Sequence, residues 1–184
     1  MINKKGQVWV ETVLYTLIGL ALIALVLAFI TPKVSQTKDK LAVEQTINSL
    51  NDFDSRIKSV LSAPGNVRKI EFNMRRGELI VDGREDKIVF LLRDLKEPYS
   101  EVDVPIDIGN VKVTSQKEQK DYSVELVLNY TGLFNLTYNE NRPLDMDRSF
   151  AQAATPYEFS ITNLGNLNGD GEPLVISIEE SSSR

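Results

Sequence analysis

"KKGQVWVETVLYTLIGLALIALVLAFI", residues 4–30, decides the fold. From Thr12 to Pro32 no side chain carries a formal charge. As a helix rising about 1.5 Å per residue, this run spans roughly the 30 Å of a bilayer's hydrocarbon core. Between Leu14 and Ile30 such a helix is apolar on every side, a pattern that requires burial in lipid or among other helices. Gly19, Ala21, Ala24 and Ala28 are points where a second helix can approach closely. One acid, Glu11, stands at the front of the run. A charge costs up to about 2.5–3.5 kcal/mol at the centre of a span and less toward its end, so Glu11 is best placed where it has a partner.

The 184 residues allow one span and one globular domain of a size that supports a hydrophobic core. Against 21 basic residues stand 26 acidic ones, a net charge of -5, and Arg75-Arg76 forms the main basic cluster outside the flanks of the span. This balance argues against nucleic acid as a partner. With no cysteine, disulfides, thiolate metal sites and cysteine nucleophiles are excluded. With no histidine, the commonest general base and metal ligand is also missing, along with the Ser-His-Asp arrangement. We therefore expect no catalytic residue, no cofactor and no enzymatic role.

Three arrangements compete for the N-terminus. A cleaved secretory signal has an apolar core of about 7–15 residues before a small-x-small site, whereas this run is longer and ends in "AFITPKV". A plain signal anchor fits Lys4 and Lys5 on the cytoplasmic side, although Lys33, Lys38 and Lys40 reduce the asymmetry. The third arrangement accounts for the order Lys4-Lys5-Gly6-Gln7, then Glu11, then the apolar run. This order resembles the class III signal peptide of archaeal type IV pilin-like proteins.

The resemblance covers residues 4–34 and implies cleavage by a membrane-embedded prepilin peptidase between Gly6 and Gln7, with the apolar helix retained. Gln7 then becomes the first mature residue and Glu11 the fifth, where type IV pilins carry their glutamate. The implied partner of Glu11 is the new amine of Gln7, on the same subunit or on a neighbour in a filament. Gln7 in place of the phenylalanine of bacterial pilins points to the archaeal branch, and Trp9 is bulkier than the small or aliphatic residue expected there. The implied division is a leader at 1–6, a long helix at 7–63 and a β-rich extracytoplasmic domain at 64–184. Within the helix, 12–31 is hydrophobic and 33–62 amphipathic. The implied partners are the peptidase, the membrane and other copies or related subunits joined through the helix. The precursor would sit in the cytoplasmic membrane with its N-terminus inside and its domain outside, and would enter a surface filament on assembly.

Pro32 removes a backbone donor and crowds the preceding turn, so a kink or short break is expected near Ala28 to Pro32. Beyond it, Val43, Ile47, Leu50, Phe53 or Asp54, Ile57, Val60 and Leu61 recur at helical spacing. Ala63-Pro64-Gly65 marks the stop. The period then changes to two. Eight strand candidates follow, around Ile70–Met74, Leu79–Val81, "KIVFLL", "IGNVKVTS", "YSVELVLNY", "LFNLTY", "YEFSIT" and "PLVISIE". Short polar connections favour an antiparallel, sandwich-like sheet, giving an α+β fold with a long N-terminal helix. Residues 99–105 and 139–156 read as longer excursions.

Asn129-Tyr130-Thr131 and Asn135-Leu136-Thr137 are sequons for N-glycosylation on an exposed chain outside the cytoplasm. "NLNGDGEP", residues 166–173, places Asn166, Asn168 and Asp170 at alternate positions like a calcium loop. Its twelfth place holds Ser177 where an EF-hand needs a bidentate glutamate, so a hairpin loop is the favoured reading. The pairs Glu85-Asp86, Asp145 with Asp147, and Glu179-Glu180 read as solvated charges.

Overall fold

The computed structural model describes residues 4–139, 147–167, 171 and 173–181, with residues 4–7 as backbone only. The chain divides into two compact units, Met1–Lys38 and Asp39–Arg184. Helix α1 (Lys4–Val60) contributes to both.

In the first unit, α1 runs without interruption through Pro32, so the break expected there is absent. Proline deletes one donor, the partner of the Ala28 carbonyl, while bonds on either side persist. The neighbouring Thr31 hydroxyl donates to the Leu27 carbonyl at 2.7 Å. Every described side chain from Val8 to Val34 is exposed.

In the second unit the same helix changes character. Val43, Ile47, Leu50, Phe53, Ile57 and Val60 are all buried, on the stripe that the spacing predicts. The helix ends at Val60, just before Ala63-Pro64-Gly65, and Gly65 takes the left-handed conformation at φ 80°. Asn163 caps this end: its Nδ2 donates to the Val60 carbonyl at 2.9 Å, and its own backbone bonds to Gly65 and Asn66.

Ten strands follow among the described residues. They are β1 (Val67–Phe72), β2 (Glu78–Asp82), β3 (Lys87–Leu95), β4 (Ile106–Ile108), β5 (Val111–Lys117), β6 (Tyr122–Asn129), β7 (Asn135–Tyr138), β8 (Asp147–Ala151), β9 (Tyr157–Gly165) and β10 (Val175–Glu180). One sheet has the order β1-β9-β10-β7, the other β4-β5-β6-β3-β2-β8. Each ladder is antiparallel except β7 with β10, which runs parallel from Asn135↔Val175 to Tyr138↔Ile178. Two strands were not expected from periodicity. β4 is only three residues long, and β8 carries one buried side chain, Phe150, among exposed neighbours. Neither displays enough alternation to be read without its partner.

The inner faces of both sheets and the buried stripe of α1 form one core. Phe53 meets Phe72 of β1 and Phe159 of β9 at ring-centroid distances of 6.0 and 5.8 Å. Phe72 reaches Phe90 of β3 at 5.9 Å, and Phe159 reaches Phe150 of β8 at 5.0 Å, so aromatic contacts join helix and both sheets. Such pairs add about 0.5–1.5 kcal/mol each beyond the area they bury.

Polar contacts set the register of the helix on the domain. Asn51 Nδ2 donates to the Ile108 carbonyl at 3.3 Å, and its Oδ1 accepts from the Asn110 amide at 3.1 Å. Gly109 has φ 66°, and a Cβ there would lie 2.5 Å from Asn51 Oδ1, so the turn needs glycine on both counts. Asp39 accepts from the Arg76 guanidinium and from the Lys96 amide.

Phe53→Ala should cost about 3–5 kcal/mol by opening a cavity where helix and sheets meet. Leu22→Ala, on an exposed stretch of the first unit, should leave domain unfolding unchanged. Denaturant unfolding of the full chain in detergent, followed by Trp9-independent far-UV circular dichroism, checks both.

Candidate functional site

Gly6 and Gln7 lie in the opening turns of α1, and Glu11 one turn further on. Glu11 is exposed, and the Tyr15 hydroxyl, one turn ahead on the same face, donates to its Oε1 across a long 3.4 Å. The other polar side chains of the run are satisfied within the helix. Thr12 donates to the Val8 carbonyl at 2.9 Å and Thr16 to the Thr12 carbonyl at 2.8 Å. Internal pairing of this kind lets a hydroxyl sit in hydrocarbon, where no water competes. Large apolar side chains stand open around the whole circumference, from Trp9 at 70% exposure to Phe29 at 72%. Among the described residues this is the one helix long and apolar enough to cross a membrane. A surface of that extent is costly in water and compatible with a transmembrane anchor.

The two sequons sit in the second unit, at either end of the turn between β6 and β7, and they differ. Asn129 is exposed at the last position of β6. Its Oδ1 accepts from the Thr131 amide at 3.0 Å, closing an Asx turn, and the Thr131 hydroxyl lies 2.6 Å from both that oxygen and the Glu85 carbonyl. Asn135 opens β7 and is half-buried, its backbone amide donating to the Leu174 carbonyl at 2.8 Å. The hydroxyl residue of its sequon, Thr137, is 2% exposed, and its Oγ1 has no hydrogen-bond partner among the described residues. The extended strand holds Asn135 and Thr137 apart from the turn geometry that Asn129 and Thr131 adopt.

Beside Asn129 lies a cleft of about 340 Å³, walled by Leu61, Leu128, Leu133, Phe134 and Leu174. Its polar end is a network around Asp54, whose side chain is 3% exposed. The carboxylate accepts from Lys58 Nζ at 2.8 Å, Asn110 Nδ2 at 2.8 Å and the Tyr130 hydroxyl at 3.1 Å. Tyr130 stacks on Phe134 at 4.7 Å and is buried. Burial, then the Asp54 charge and the hydrogen bond to it, push the Tyr130 hydroxyl well above the ordinary tyrosine value. Sequence reasoning did not assemble this network. Its one signal was Asp54 on the flank of an apolar stripe; Asn110 and Tyr130 lie more than fifty residues away in the chain.

Asn166 of the calcium-like loop is exposed, while Asn168 and Asp170 lie outside the described residues, as does Asp145. Among the described residues no cluster of three or more acidic side chains is arranged to hold a metal ion. Asp86, read from sequence as a solvated charge, instead has a positive φ of 54° and accepts from the Leu136 amide at 2.8 Å. It ties the β2–β3 turn to β7. Asp147 faces Asp82 across the β2–β8 ladder, with Arg84 Nε at 4.0 Å from it.

Comparison of the chain with protein-family models, with curated proteins and with solved structures returned no match.

Because folding holds the Tyr130 proton more tightly, the unfolded chain releases it first as pH rises. The associated stability is intact below about pH 10 and is lost above it. Denaturation midpoints measured across the alkaline range should fall beyond that point. Tyr130→Phe should flatten the fall while costing about 1–3 kcal/mol at neutral pH for the lost bond to Asp54.

Proposed function

We propose that this chain is a structural subunit of an archaeal type IV pilus-like surface filament, cleaved by a prepilin peptidase after Gly6 and assembled through its N-terminal helix. One observation carries the reading. A helix exposed and apolar around its full circumference has a single acid at its front, five residues beyond Gly6 in a Lys-Lys-Gly-Gln leader. A lone span satisfies its burial requirement in lipid, but gains nothing from a carboxylate at that register. A bundle of such helices does, because the amine created at Gln7 is a cation that can pair with Glu11 at low dielectric.

Two further features support the reading. The amphipathic half of α1 is built into the core of the β domain, so the domain is anchored to the helix by packing rather than by a loose tether. The domain's net acidity suits an exterior that stays soluble in a crowded coat. In this reading the precursor spans the cytoplasmic membrane with its N-terminus inside, and the domain lies outside. Minor-pilin and pseudopilin roles use the same parts and differ in abundance and neighbours.

Co-expression with an archaeal prepilin peptidase should yield a protein whose N-terminal sequence starts at Gln7, and Gly6→Val should keep the leader. Glu11→Ala should still be processed and membrane-inserted, but should disappear from sheared surface fractions. An uncut leader in the wild-type chain overturns the pilin-like reading in favour of a plain membrane anchor. Cleavage without any sheared material overturns filament assembly.

A further inference from the structure

We propose that Asn129 is the N-glycosylation site of this chain and Asn135 is not, and that the first sugars of the Asn129 glycan seat in the cleft beside it. The proposal rests on the extracytoplasmic placement of the domain given above.

Transfer needs an amide nitrogen that a glycosyl donor can reach. Asn129 Oδ1 accepts from the Thr131 amide, whereas among the described residues its Nδ2 makes no hydrogen bond, and the side chain is exposed. Asn135 fails on exposure, since it is half-buried in β7 beside β10, with its Thr137 buried beneath the sheet surface. The reaction at Asn129 is a displacement at the anomeric carbon of a sugar carried on a lipid phosphate. The Nδ2–C1 bond forms, and the C1–O bond to phosphate breaks with its electron pair leaving on the lipid phosphate. The amide proton passes to a base of the transferase. No oxidation state changes.

The cleft accounts for where the product goes. Asn129 itself lines it, so an attached sugar starts at its mouth. Its volume of about 340 Å³ falls in the size range of small-ligand sites, about 300–1,000 Å³. The walls match the two sides of a pyranose. Leu61, Leu133 and Leu174 offer apolar surface to the ring's C–H face, and Lys58 and Asn110 offer donors to its hydroxyls. Lys58 Nζ is about half exposed and bonds to Asp54 with one of its three protons. Leu133, 70% exposed at the tip of the turn, gains cover from the sugar.

The full chain is produced in an N-glycosylating archaeal host and mapped by peptide mass spectrometry. Glycan is expected on the Asn129 peptide alone, lost in Asn129→Gln and Thr131→Ala, and undiminished in Asn135→Gln. Hydrogen exchange then reads the docking. The Leu133 amide, which donates to the Tyr130 carbonyl at 2.8 Å, should exchange about tenfold more slowly with the glycan than in Asn129→Gln. Leu133→Ser changes an exposed side chain, so the fold and the glycan should remain while that slowing is lost. Glycan on Asn135, or none on a domain that added protease digests on intact cells, overturns the site. Equal exchange with and without glycan, or slowing that survives Leu133→Ser, overturns the docking. A domain that protease cannot reach on intact cells overturns the placement on which the proposal rests.

Discussion

The contact of Phe53 with Phe72 and Phe159 is the interaction on which the rest of the domain depends. Those two rings belong to β1 and β9, and from them contacts run to Phe90 in β3 and Phe150 in β8. The buried stripe of the helix and the inner faces of both sheets share one core. A half-helix that packs this way must present one apolar stripe and keep its other faces polar, which is the pattern of residues 43–60. The preceding stretch obeys the opposite rule and exposes apolar side chains on all sides. One helix therefore carries two burial requirements, and they call for different solvents.

Placed around the aromatic cluster, the polar contacts work as register pins. Asn51 and Asp54 bond to the β4–β5 turn, Asp39 to the strand end near Lys96, and Asn163 to the helix terminus. Hydrophobic packing alone is non-directional and tolerates sliding by a turn. Each of these groups is buried or half-buried and would be left unsatisfied by such a slip, a cost of about 1–3 kcal/mol apiece. The network around Asp54 also forms the polar end of the cleft beside Asn129, so the feature that fixes the helix shapes a surface as well.

Much of this was legible before the fold was known. Apolar residues at spacings of three and four marked the buried face of α1 because neighbours on a helix face recur at that interval. Alternation marked most strands for the same reason at period two. The misses have physical causes. Pro32 leaves no break in the helix, which continues beyond it as expected, since a single missing donor removes one bond and the remaining bonds hold the turn. β8 went unread because one buried Phe150 among exposed residues is no pattern until Leu79, its partner across the ladder, is in place. Asp86 looked like a solvated turn charge, but its acceptor role depends on β7, some fifty residues further on.

What the sequence by itself determined is local. It includes the uncharged run from Thr12 to Pro32, the distance from Gly6 to Glu11, the change of period after Gly65, and the absence of cysteine and histidine. Each is a property of neighbours along the chain, and chain order suffices to state it. The tertiary structure alone decided which strands pair, that β7 runs parallel to β10, and that of two equivalent tripeptides Asn129 is exposed at the end of β6 while Asn135 is half-buried at the start of β7. Those outcomes turn on contacts between residues far apart in sequence, where the free energy of burial and hydrogen bonding is settled by the whole fold.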